Sequence, residues 1–267
     1  MPMTVLELRK KIDQLVEDLI PLAEDHPCKD RGTEFLRVLE GAFRKNLMRL
    51  RAVNILCEHP RLAPTALEIT RNMIEDVVSI EYMKLDEPNE SAKRFYKFRW
   101  VQLKEDQDYA DSVGLDLDEE GMPTKDEVDG EYKKAISEHP DFIGKDGKPV
   151  RSWVRRDVEA MLNRLKKKEA LGDDDIRMIG RAYISGNRKT HFNPFDIMLQ
   201  MSDETLDLNG EYALKTSLLV ATSSTIRLAT RYIDEISHIN GKNTHHDIAK
   251  KANKLLTEMH ALKSLDA

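Results

Sequence analysis

The sequence predicts an all-α fold: a multi-helix bundle with a long central C-terminal helix and an acidic loop insertion. Three observations predict it. Apolar residues recur at three- and four-residue spacing through most of the chain. No stretch alternates apolar and polar residues with the period of two that a half-buried strand needs. Pro, Gly, Asn and Asp fall between the periodic stretches, where turns belong.

Composition sets the frame. The chain has 267 residues, 40% of them hydrophobic and 34% charged, enough for a core under a heavily solvated exterior. A net charge of −6 argues against a whole-surface grip on nucleic acid but leaves local basic patches open. The two cysteines, Cys28 and Cys57, form neither a disulfide framework nor a zinc spacing, which points to a reducing cytoplasm. No apolar run reaches the ~20 residues that span a bilayer, so no membrane partner is expected. Residues 1–111 read as the N-terminal part of the bundle, 112–152 as the acidic insertion or lid, and 153–267 as the C-terminal part of the same bundle.

Residues 3–22 predict the first helix, with Thr4 as N-cap and Glu7 as its capping-box partner; Pro21 should disturb its end. A turn around Pro27 follows. Residues 32–58 predict a second helix, whose polar face carries Arg37, Arg44, Lys45, Arg49 and Arg51. Such a row either attracts phosphate or forms a solvated face with acidic neighbours.

Residues 65–85 predict a third helix, started by Pro64 and Thr65. Leu67, Ile74, Val77 and Val78 share one apolar arc, and Glu81 falls inside it. A carboxylate facing a core needs a partner. Either an interhelix salt bridge supplies it, or Glu81 belongs to a polar pocket. Arg71, Glu75 and Tyr82 fall together on the edge of the arc, and Arg71 and Glu75 are one turn apart, within reach of each other.

Residues 89–109 predict a fourth helix, with Phe95, Phe98, Trp100, Val101 and Leu103 as core or interface. The following stretch is acidic. Asp116, Asp118, Glu120, Gly121 and Glu127 have the spacing of a calcium loop, but Glu in its fifth position, the Met122-Pro123 that follows and the lack of a strong amphipathic helix entering it depart from that pattern, which favours a solvated acidic loop. A short helix over 125–139 and a tight turn at 144–149, GKDGKP, come next. That turn lacks the spacing and preceding strand of a phosphate loop.

Residues 151–171 predict a basic helix, with Trp153, Val154, Val158, Met161, Leu162 and Leu165 inside and Arg155, Arg156, Arg164, Lys166, Lys167 and Lys168 mostly outside. It is the best candidate for a phosphate-facing patch, although cations in a last turn also suit the helix dipole. Asp173 or Asp174 caps the next helix, through Ile176, Ile179 and Tyr183, and Gly186-Asn187 should end or bend it. Residues 195–203 predict a short helix and turn. Residues 208–238 predict a long helix, apolar over most of its circumference and therefore central. Asn240-Gly241 stops it, and residues 245–262 form the last helix. His245 and His246 are adjacent and point apart, unlike the one-turn pair of a helical zinc site. No metal or cofactor is implied.

The densest group of hydrogen-bonding side chains runs from Tyr183 through Ser185, Asn187, Arg188, Lys189, Thr190 and His191 to Asn193. Pro194 restricts Asn193 to an extended conformation. His191 could act as general acid or base, or as a cap or core hydrogen-bonding group. There is no HD dyad, Gly-rich phosphate loop or nucleophile elbow, so a nucleotide hydrolase lacks its usual signs.

Arg71-x3-Glu75-x6-Tyr82, followed by Tyr183-x-Ser185 and His191-x-Asn193-Pro194 ahead of a long apolar helix, resembles a broad set of all-helical bacterial proteins near the HEPN superfamily. The resemblance covers roughly residues 30–110 and 155–238. It implies a helical bundle, commonly a homodimer, tied to RNA and to phage or toxin–antitoxin conflict. Active HEPN proteins cleave RNA without metal, using an Arg, usually followed by Asn, and a His four to six residues after the Arg. Here the order is Asn187-Arg188, only two residues separate Arg188 from His191, and Arg181 lies too far back. On the ribonuclease reading, His191 and Arg188 are catalytic and Arg71, Glu75, Glu81, Tyr82, Tyr183, Ser185, Asn187, Lys189 and Asn193 line the binding niche. On the alternative, a protein–protein interaction module, Tyr183, Ser185 and His191 are structural and bond to Arg71 and Glu75. Both place the His191 turn against the Arg71–Glu75–Tyr82 edge.

Overall fold

The computed structural model describes residues 4–24, 32–115, 122–154, 156–190, 203–240 and 245–263, without the side chains of 60, 185–190, 203–212, 240, 246 and 259–263. Among these residues the elements are α1 (Val5–Glu24), α2 (Glu34–Leu56), α3 (Ala63–Met83), α4 (Pro88–Val113), α5 (Lys125–Glu138), α6 (Val158–Lys167), α7 (Asp173–Thr190), α8 (Asp203–Asn240) and α9 (His246–Lys263), with single 3-10 turns at Pro60–Leu62 and Pro140–Phe142. The protein is all-α: the described residues contain no strand, only an isolated bridge between Ile143 and Pro149.

Helix starts follow local chemistry. Thr4 and Glu7 exchange bonds in a capping box, with Thr4 N donating to Glu7 at 2.7 Å and Glu7 N to Thr4 Oγ1 at 3.2 Å. Thr124 and Glu127 repeat that box on α5, and these bonds hold the Glu127 carboxyl below its ordinary value. Glu127 is thus occupied as a capping residue; Asp116, Asp118, Glu120 and Gly121 lie outside the described residues. Thr33 caps α2 and Asp157 caps α6. Gly114 ends α4 in the left-handed region, φ 70°, a conformation glycine adopts without a Cβ penalty.

Several boundaries differ from the sequence expectation. α1 runs through Pro21 to Glu24. α4 extends to Val113. α6 begins at Val158 rather than Arg151: Trp153 and Val154 sit in a turn, buried and half-buried, and Asp157 supplies the cap. α7 continues unbroken through Gly186 and Asn187 to Thr190; helix interiors tolerate a glycine at about 1 kcal/mol.

The core is a three-helix unit of α2, α3 and α8, each packed on the other two. Phe43 of α2 stacks on Tyr232 of α8 with centroids 5.4 Å apart. Helix α8 also contacts α1, α7 and α9, as a central helix should. One of its buried hydroxyls is accommodated locally: Thr225 Oγ1 donates to the Ala221 carbonyl at 3.0 Å, a bond to the preceding turn that spares it its desolvation cost. Helices α6 and α7 cover α3, and α5 packs on α4. Residues 122–154 feed the core through Val128, Ala135, fully buried Phe142 and Trp153. No helix among the described residues is long and apolar enough to cross a membrane.

Candidate functional site

Four of the five cations on the polar face of α2 meet acidic neighbours. Arg37 pairs with Glu34, Arg44 with Glu40, and Lys45 and Arg49 with Asp76 of α3 at 3.3 and 2.8 Å. Asp76 also accepts from Asn46 at 2.9 Å. Burial lifts the Asp76 carboxyl above its ordinary value in spite of Lys45 and Arg49. Lys45 and Arg49 thus form an interhelix seam with Asp76, Arg37 and Arg44 pair within α2, and Arg51 is exposed. On α6, Lys166 reaches Asp173 at 3.4 Å, and Arg164 turns inward.

Along α3 the predicted residues separate into three interactions. Arg71 and Glu75 form the expected one-turn ion pair, 2.8 Å. The Arg71 guanidinium carbon lies 5.5 Å from the centroid of the Tyr183 ring, a cation–π contact between α3 and α7. Tyr82 leaves this group. It is buried, its hydroxyl accepts from Arg164 of α6 at 2.6 Å, and its ring meets Trp153 edge-on with centroids 6.1 Å apart. Arg164 then pairs with Asp86.

Glu81 is only 3% exposed. Arg231 of α8 donates Nε to its Oε1 at 3.1 Å and a terminal nitrogen to its Oε2 at 3.3 Å. Arg227, one turn earlier, lies 3.7 Å from Glu81 and pairs with Asp175 of α7. The buried carboxylate therefore has its partner, an interhelix salt bridge joining α3, α7 and α8. With Asp175 near the Glu81 end of α3 and Tyr183 near its Arg71 end, α7 lies antiparallel to α3.

The rest of the predicted site lies beyond Tyr183. The backbone of Ser185, Asn187, Arg188, Lys189 and Thr190 forms the last turns of α7, while their side chains, and the whole of His191 and Asn193, lie outside the described residues. The structure thus brings Arg71, Glu75 and Tyr183 together, places Tyr82 and Glu81 in separate contacts, and leaves the His191 position outside its description. No group of three or more His, Cys, Asp and Glu able to hold a metal occurs among the described residues.

Sequence reasoning passed over Arg227 and Arg231. The signal was there: two cations one turn apart in the most apolar helix are the complement of a carboxylate placed in an apolar arc. Arg94 was also missed. Its guanidinium donates to the Trp153 carbonyl at 2.7 Å and to both Asp141 oxygens at 3.1 and 2.7 Å, and lies 4.6 Å from the Phe142 ring centroid. His139 completes that cluster, with its ring 4.9 Å from Phe142. Burial, and then the Arg94 charge, hold its imidazole below the ordinary value.

Fold and contacts together define an all-helical protein whose charged side chains sew one helix to the next. The chain belongs to a family of unknown function, DUF5677, whose model matches residues 36–207. That span runs from α2 through α7 and takes in the Arg71–Tyr183 contact. No curated protein and no solved structure matches the chain.

Proposed function

We propose that the protein is a HEPN-like helical module that binds RNA in the cytoplasm of a bacterium, as a homodimer, without cleaving it. The observation behind this reading is the Arg71–Tyr183 contact with its Glu75 ion pair. It occupies the polar edge of α3 in holding α7, so that edge acts as a support. The groups suited to a phosphate then fall to the end of α7, at Arg188 and Lys189, with Ser185, Asn187, His191 and Asn193 beside them in sequence. Backbone phosphates are bound by such cations through charge and counterion release, which needs no nucleophile or metal.

The departure from the ribonuclease spacing, with two residues between Arg188 and His191, favours binding over catalysis. The test is fluorescence anisotropy of labelled single-stranded RNA in EDTA, with gel analysis of the same samples. Binding that weakens with salt and in an Arg188→Ala/Lys189→Ala variant, with the RNA intact, is the expected result. Cleavage by the parent that disappears in both Arg188→Ala and His191→Ala would establish the metal-independent ribonuclease instead. An absence of any RNA binding would leave the protein–protein interaction module. Sedimentation velocity checks the dimer.

A further inference from the structure

Helices α3, α7, α8 and α9 do not close completely on one another. Between them lies a cavity of about 230 Å³, whose wall includes Asp175, Met178, Ile179, Ile226, Arg227 and Arg231. Arg227 and Arg231 belong both to this wall and to the Glu81 cluster. We propose that this cavity binds a small organic anion: a carboxylate or phosphate group on a short apolar body.

The balance of hydrogen-bonding groups points to the anion. Both Glu81 oxygens are taken by Arg231, and one Asp175 oxygen is taken by Arg227. A guanidinium carries more N–H groups than these contacts use, and it accepts nothing. The wall is therefore rich in unused donors, and the complement of donors is an acceptor. Two guanidinium groups held in place by carboxylates are also pre-oriented, so little side-chain entropy is lost when they bind.

The remainder of the lining fixes the body of the ligand. Val77, Met178, Ile179, Ile226 and Leu256 are apolar and suit a hydrocarbon. The volume lies below the ~300–1,000 Å³ of pockets that hold drug-sized molecules, which suits a small ligand.

The test is a methyl NMR titration of the full chain, labelled at Met and Ile, with butyrate, butyl phosphate, inorganic phosphate and the neutral control butyramide. Saturable shifts confined to Met178, Ile179 and Ile226, with butyrate or butyl phosphate but not butyramide, are expected. The tighter of the two anions identifies the head group, and weaker binding of inorganic phosphate shows the contribution of the apolar body. Arg227→Gln should weaken binding by about tenfold, as expected for a lost charge-assisted bond. Unmoved methyls of the parent at millimolar anion, equal shifts with butyramide, or unchanged affinity in Arg227→Gln would overturn the proposal.

Discussion

Glu81 of α3 and Arg231 of α8 meet across the helix interface, with the carboxylate 3% exposed, the Arg231 side chain 33% exposed and the Nε–Oε1 separation 3.1 Å. The pair gives little net stability relative to apolar residues, because the carboxylate surrenders its hydration. Its strength is conditional. Removing one partner leaves an uncompensated charge in the core, and that cost is large.

Arg231→Met should therefore destabilise the protein by about 3 kcal/mol, read as a drop in the urea midpoint with the slope retained. Adding Glu81→Gln to it should recover much of that loss. A single variant as stable as the parent would show that Arg227, 3.7 Å away, suffices for Glu81.

Arg94 should resist conservative replacement. It joins α4 to Trp153, Asp141 and Phe142 through planar contacts that an ammonium group cannot reproduce together. Arg94→Lys is expected to cost about 2 kcal/mol, measured by chemical denaturation, with earlier proteolysis between residues 139 and 154.

His139 gives the protein a pH dependence of definite sign. Burial and Arg94 lower its value in the folded state from the ordinary 6.5. Between the two values the unfolded chain takes up a proton that the folded chain refuses. Stability therefore falls as pH drops through 6.5 towards the lowered value and is fully present above it. His139→Gln should flatten this part of the stability profile between about pH 7.5 and about pH 5.5; an unchanged slope would count against the shift.

Cys57 should be inert. It is buried, and burial pushes its thiol up to about 12, so almost no thiolate is present at neutral pH. Peptide mapping after iodoacetamide treatment should find Cys57 unmodified in the folded protein and modified in urea.

Much of this arrangement was legible before any coordinates. The Thr4–Glu7 box, the Arg71–Glu75 pair and the demand of Glu81 for a partner each follow from spacing along one helix, where geometry is fixed at 3.6 residues per turn. What was hidden depends on chain segments distant in sequence. Tyr82 shares an edge with Arg71 and Glu75 in projection, but a whole helix of neighbours lies alongside, and Arg164 and Trp153 claim it. The apolar Trp153-Val154 pair imitates a helix start because its spacing continues into Val158; only Asp157 marks the true cap. The cavity was invisible because its wall combines residues of four helices far apart in sequence.

If Arg71, Glu75 and Tyr183 hold α7 on α3 and stand clear of RNA, thermal stability and RNA affinity separate in Arg71→Met. Its melting temperature should fall by about 2–4 °C, for loss of about 1 kcal/mol, with the RNA dissociation constant of the folded variant unchanged. A tenfold loss of RNA affinity at unaltered melting temperature would contradict that supporting role.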